Sequence, residues 1–367
     1  MALIAQGRIT GVPSAEGEDG HLVLDEDGLP VTVGTRDAPF RVVIPSGEGD
    51  WPVILYGHGM GGDVSDASFD ATMTDNGGGK VGLEWQGWTS DDMMENLLLL
   101  PKAMLSGSER STSGLLESLA DARLVLEALD GPLGAALAAE TVGGVTNPAA
   151  GRWPDTREPV YVGGSLGGTM GAVYAMSEPR VHYAALNVPG AGWSHMIPGS
   201  DLYAIMEGFV QATYGDEVDV TLALLMAQGA WDEVDGAAWA DEARDDGDMF
   251  LLQESIGDPI LPNIGTAILA AALGAVQLDP DIEDVLGLTH TDGPVTDGMV
   301  LEQFRVPDTG VYDVHGFADR DTEAGRAARD QIFGFLMGAL DGAPIIAHPE
   351  RCDATADGSC DWGDADW

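Results

Sequence analysis

The chain has 367 residues, 44% hydrophobic and 21% charged, enough to bury one large core in an elaborated globular domain rather than an array. Its 61 acidic residues outnumber 16 basic ones, and the formal net charge of -45 excludes nucleic acid as a partner and argues against anionic membranes and anionic substrates. No apolar run reaches the ~18 residues that a membrane-spanning helix needs. The start MALIAQGRIT lacks the basic flank and apolar centre of a signal peptide, although a leader removed by processing stays open.

Only Lys80 and Lys102 are lysines. An acidic surface of this kind stays hydrated in concentrated salt, where screening suppresses self-repulsion, so a halophilic or marine source is expected. Acidic drift in a secreted protein with Gly- and Ala-rich usage is the other reading of the same composition.

Short β-type runs, LPVTV and FRVVIP, open the chain between Arg8 and Ser46, separated by Gly- and Asp-rich turns. PVILYGHGMGG follows, and its apolar run Val53 to Tyr56 ends at glycines, as expected of a strand buried on both faces. Residues 63–89 are polar and Gly-rich and read as a long loop. Leu115, Leu119, Ala122, Leu126 and Leu129 recur at helical spacing within 113–130. Val160-Tyr161-Val162 is another short buried strand, with GGSLGG and a small-residue helix pattern, TMGAVYAM, directly after it.

AALNVPG precedes a stretch with helical patterns, expected as an inserted helical cap at 194–249. Its Trp193, Met196, Leu202, Tyr203, Met206, Phe209, Trp231 and Trp239 either pack the cap onto the core or line an apolar pocket. Then FLLQESIGDPILP reads as a strand ending in a turn, NIGTAILAAALG as a helix and VYDVHGF as a strand end. The last helix runs from Thr322 to about Leu340. Strands alternating with helices imply an α/β fold with a mostly parallel sheet flanked by helices.

The domain is expected over 1–350, followed by an acidic tail, 351–367. The tail holds both cysteines, Cys352 and Cys360, which either close a local disulfide or remain two free thiols. Its aspartates lack the spaced ligand set of a calcium loop. No H-E-x-x-H, no Cys-x-x-Cys and no phosphate-binding glycine signature is present, so no metal and no cofactor is expected.

Gly163-Gly164-Ser165-Leu166-Gly167 fits G-x-S-x-G, in which the serine occupies a sharp turn and its neighbours must lack bulk. With 51 glycines in the chain the pentapeptide is weak alone; a buried strand before it and a small-residue helix after it give it the required context. Over about 40–340 the chain therefore resembles the α/β-hydrolase superfamily of serine esterases and lipases.

That resemblance implies Ser165 as nucleophile and His58-Gly59-Met60-Gly61-Gly62 as the oxyanion loop, with the N–H groups of Met60 and Leu166 as donors. His58 itself is expected to stabilise the loop. The superfamily order of nucleophile, acid and histidine selects Asp258 in Gly257-Asp258-Pro259, with Glu254 as substitute, and His315 ahead of His290 and His348. The implied activity is hydrolysis of neutral carboxylic esters, including lipid, aryl or alkyl esters and polyesters, in a secreted or cell-surface protein. A peptidase or acyltransferase of the same fold, and a non-catalytic extracellular module, are the alternatives.

Overall fold

The computed structural model describes residues 1–307 and 310–363. Its strands are β1 (Leu3–Ser14), β2 (Gly34–Ile44), β3 (Trp51–Gly57), β4 (Gly79–Leu83), β5 (Thr141–Val142), β6 (Val145–Thr146), β7 (Pro154–Gly164), β8 (Tyr183–Asn187), β9 (Met249–Ser255), β10 (Val276–Leu278), β11 (Thr289–Thr291) and β12 (Val300–Phe304). Its helices are α1 (Asp70–Asp75), α2 (Met93–Leu99), α3 (Met104–Leu129), α4 (Pro132–Leu137), α5 (Leu166–Ser177), α6 (Trp193–Gly199), α7 (Asp201–Tyr214), α8 (Glu217–Trp231), α9 (Ala240–Asp246), α10 (Asn263–Leu273), α11 (Val311–His315) and α12 (Glu323–Leu340). They group into two compact units, Met1–Pro159 with Thr213–Val234, and Val160–Ala212 with Asp235–Trp367. Strands and helices alternate as expected, and the fold is α/β.

In the first unit the strand order is β1-β2-β4-β3, with β1 and β2 antiparallel, β2 and β4 antiparallel, and β3 and β4 parallel. The run Val53-Ile54-Leu55 is fully buried, as its uninterrupted apolar character requires. Residues 63–89 are not the long loop expected: they contain α1 and β4.

Strand β4 escapes the apolar pattern because its sequence is GKVGL and Lys80 is completely buried. The Lys80 ammonium is matched by Asp70 at 3.1 Å, by the Asp66 and Ser68 carbonyls at 2.7 and 2.6 Å, and by the Tyr56 ring at 3.9 Å. Gly79 lies flat against Trp51, where a Cβ would come within 2.1 Å of the indole.

In the second unit the order is β7-β8-β9-β12-β10-β11, and the pairs β7·β8, β8·β9, β9·β12, β12·β10 and β10·β11 are parallel. Strand β12, VLEQF, escapes the apolar pattern as well, because Glu302 and Gln303 interrupt its apolar character although both are buried. They point to opposite faces, as strand geometry demands. Glu302 accepts from Gln331 of α12, while Gln303 donates to Glu254 of β9.

The chain between β8 and β9 is helical, through α6, α7, α8 and α9. Trp193, Met196, Tyr203 and Trp231 of this stretch are buried, whereas Ile205 and Phe209 are exposed. Residues 311–315, expected as a strand end, form the short helix α11, which begins where Gly310 O accepts the Asp313 N–H at 2.8 Å. Within the described part of the tail, Cys352 and Cys360 are joined in a disulfide, and Asp361 forms a parallel bridge with Arg305. Among the described residues no helix is long and apolar enough to cross a membrane.

Candidate active site

Ser165 joins β7 to α5 with φ 59° and ψ -124°, a backbone conformation that a residue bearing a Cβ adopts only when its surroundings enforce it. The enforcement is visible on both sides. The Ser165 N–H donates to Asn187 O of β8 at 3.0 Å, and Ser165 O accepts from Thr169 N of α5 at 2.9 Å. Strand and helix meet so closely that a Cβ on Gly163 would lie 2.4 Å from Gly167 O. Tyr161 fills the space beneath and donates its hydroxyl to the same carbonyl at 2.6 Å. Leu166 is the first residue of α5, and the first-turn N–H groups of a helix lack intrahelical acceptors, which makes them donors toward an anion.

Asp258 and His315 meet directly. His315 Nδ1 lies 2.6 Å from Asp258 Oδ2, with the imidazole side chain 11% exposed and the carboxylate 1% exposed. The other oxygen, Oδ1, accepts the N–H groups of Ile260 at 2.8 Å and Leu261 at 3.0 Å, so the turn after β9 holds the carboxylate in one orientation. A carboxylate only accepts, hence Nδ1 carries the ring proton and Nε2 presents a lone pair. Residue 315 is fixed through its neighbour, because Ser255 Oγ donates to Val314 O at 2.8 Å. Ser165, Asp258 and His315 all lie in the second unit.

The other candidates have different partners. Glu254 is buried and accepts from Gln303 Nε2 at 2.9 Å; burial pushes its carboxyl from 4.5 up to about 7, with the charges of Glu283 and Asp258 adding to the rise. His290 lies between Asp279 and Asp284 at 3.0 and 3.1 Å, and His348 lies between Glu302 Oε2 at 3.2 Å and Gly358 O at 2.8 Å. Among the described residues His315 is thus the histidine that reaches Asp258.

In the first unit, His58 is buried beside the end of β3: its Nε2 accepts the Trp85 N–H at 3.0 Å and its Nδ1 faces Gly59 O at 2.7 Å, while burial lowers its pKa. It is a neutral pin for the loop. Within that loop the Gly61 N–H is engaged by Trp88 O and the Gly62 N–H by Gly59 O, and Met60 N–H takes part in neither bond.

Two groups of side chains bring three possible metal ligands within 4.8 Å of one another, His348 with Cys352 and Cys360, and Asp279 with Asp281 and His290. In the first the two sulfurs are bonded to each other, and in the second both ring nitrogens of His290 face carboxylates.

No protein-family profile matches the chain, and no curated protein sequence does. Solved structures with a similar fold include the acylaminoacyl peptidase of Pyrococcus horikoshii, 14% identical with a TM-score of 0.48, covering 95% of this chain and 43% of that one. The acetyl xylan esterase from Paenibacillus sp. R4 is 14% identical with a TM-score of 0.47, covering 82% of this chain and 78% of that one. Acetyl xylan esterase 1 from Thermoanaerobacterium sp. JW/SL YS485 is 14% identical with a TM-score of 0.44, covering 77% and 78%. The chain spans less than half the length of the peptidase.

Proposed function

We propose that the protein is a serine hydrolase that cleaves neutral carboxylic esters through an acyl-enzyme on Ser165. The observation that carries this reading is the Asp258–His315 contact of 2.6 Å, in the same unit as a serine held at positive φ between strand and helix. His315 Nε2 takes the Ser165 Oγ proton as Oγ attacks the ester carbonyl, and Asp258 stabilises the resulting imidazolium. The tetrahedral oxyanion is stabilised by the Leu166 N–H at the start of α5. Collapse expels the alkoxide, which receives the proton from His315. Water then repeats the sequence on the acyl group and frees Ser165.

The charge of -45 supports neutral over anionic esters, because an acidic surface repels a like-charged substrate. The bonded Cys352 and Cys360 support an oxidising, secreted or cell-surface setting. A fluorophosphonate probe tests the reading: it should label Ser165 in the wild type and leave Ser165→Ala unlabelled. A wild type that resists the probe would favour a non-catalytic module.

A further inference from the structure

The segment after α12 reads in the sequence as an acidic appendage, yet it is built into the part of the fold that carries His315. Beyond the end of β12, Arg305 N donates to Cys360 O at 3.0 Å and Trp362 N donates to Arg305 O at 2.8 Å, so residues 360–362 pair with the chain through an isolated parallel bridge at Asp361. The Arg305 guanidinium reinforces this register by binding Asp361 at 2.7 Å. Both cysteines are fully buried in one apolar cluster with Phe304, Phe317 and Val314, and Trp362 packs against it. Val314 and Phe317 flank His315 along the chain, and the Phe317 ring lies 5.0 Å from that of Phe304.

A second line of contacts runs on the same face of the sheet, beneath α12, because Glu302 and Phe304 are two residues apart on β12. His348 contacts Glu302, Gln331 donates to Glu302 at 3.1 Å, Gln253 donates to Gln331 at 2.7 Å, and Asn187 donates to Gln253 at 3.0 Å. Asn187 is the residue whose carbonyl holds the Ser165 N–H. Buried polar networks of this kind fix one arrangement when every member is satisfied.

We propose that residues 347–362 are a positioning element for His315, and that the Cys352–Cys360 bond keeps the piece 360–362 in register beside Arg305. This rests on the hydrolase reading of Ser165, Asp258 and His315. A five-residue helix has little stability of its own, so the ring at its end takes its position from what packs behind it. The disulfide, closing a separation of 8 residues, limits the conformations open to the tail and so keeps its cluster side chains against Val314 and Phe317.

The test compares the full chain with its Cys352→Ala/Cys360→Ala variant on a short-chain p-nitrophenyl ester, together with the low-field proton resonance of the Asp258–His315 pair, recognised by its absence in Asp258→Asn. The double variant should keep its circular dichroism and lose roughly tenfold in kcat with KM nearly unchanged, as misplacement of a reacting group requires. Its low-field resonance should broaden or vanish. A folded variant with wild-type kcat and an unchanged resonance would overturn the proposal. Should the double variant fail to fold, Trp362→Ala, which leaves the disulfide intact, is read by the same measurements and the same two results. If the wild type hydrolyses no ester, the hydrolase reading falls, and the resonance alone decides whether the tail holds His315.

Discussion

Asp258 binds His315 Nδ1 at 2.6 Å through one carboxylate oxygen while two backbone N–H groups, of Ile260 and Leu261, hold the other. The division of labour fixes both the position of the carboxylate and the tautomer of the ring. Asp258→Asn can preserve the backbone contacts but presents an amide that permits the wrong tautomer. Its kcat should fall on the order of 10⁴-fold, with KM little changed and the fold intact by circular dichroism. Loss of activity in Glu254→Gln with activity retained in Asp258→Asn would move the acid to Glu254.

Glu254 itself governs a stability profile. Its carboxyl rises from 4.5 to about 7 chiefly through burial, so the folded state holds the proton more tightly than the unfolded chain. The stabilisation this proton gives is fully present below the unfolded value and is lost as pH rises through about 7, a swing of about 3 kcal/mol. Thermal unfolding followed between about pH 5 and 8 should show a falling Tm in the wild type and a flatter profile in Glu254→Gln. Equal slopes in the two proteins would remove Glu254 as the cause.

The strands that sequence makes legible are those carrying an apolar run, FRVVI in β2, Val53 to Tyr56 in β3, Val160 to Val162 in β7 and FLL in β9. Strands β4 and β12 are hidden because Lys80, Glu302 and Gln303 are polar, and their burial is made tolerable by partners elsewhere in the chain: Asp70 for Lys80, Gln331 and His348 for Glu302, and Glu254 for Gln303. No local pattern announces such partners. In the candidate site, Ser165 is marked locally by its glycines and flanking elements. Chain order and resemblance point to His315 over His290 and His348, but the contact that separates them spans 57 residues and depends on the turn after β9. Helix α11 departs from the sequence pattern because VYDV carries β-type residues, while its conformation is set by the Gly310 turn and by Ser255 holding Val314 O.

Close packing behind the serine turn yields a stability prediction. Gly171 of α5 faces Tyr161, and a Cβ there would come within 2.1 Å of the ring. Gly171→Ala gains helix propensity but forces Tyr161 away from its bond to Gly167 O. Chemical denaturation should show a net loss of about 2 kcal/mol. A stabilised Gly171→Ala would mean that Tyr161 moves without cost.

With a net charge of -45, self-repulsion opposes compaction at low ionic strength. Raising NaCl from about 0.1 M to about 2 M shortens the screening length several-fold and should raise Tm. A Tm independent of NaCl over this range would show that the acidic residues are already spaced or paired well enough to need no screening.

The most direct measurement is hydrolysis of a short-chain p-nitrophenyl ester by the wild type and by Ser165→Ala, at low and high salt. Turnover with a burst of p-nitrophenol is expected in the wild type and neither in the variant. Turnover that survives in Ser165→Ala, or a folded wild type inactive at every salt concentration, would contradict the assignment of Ser165 as the nucleophile of an ester hydrolase.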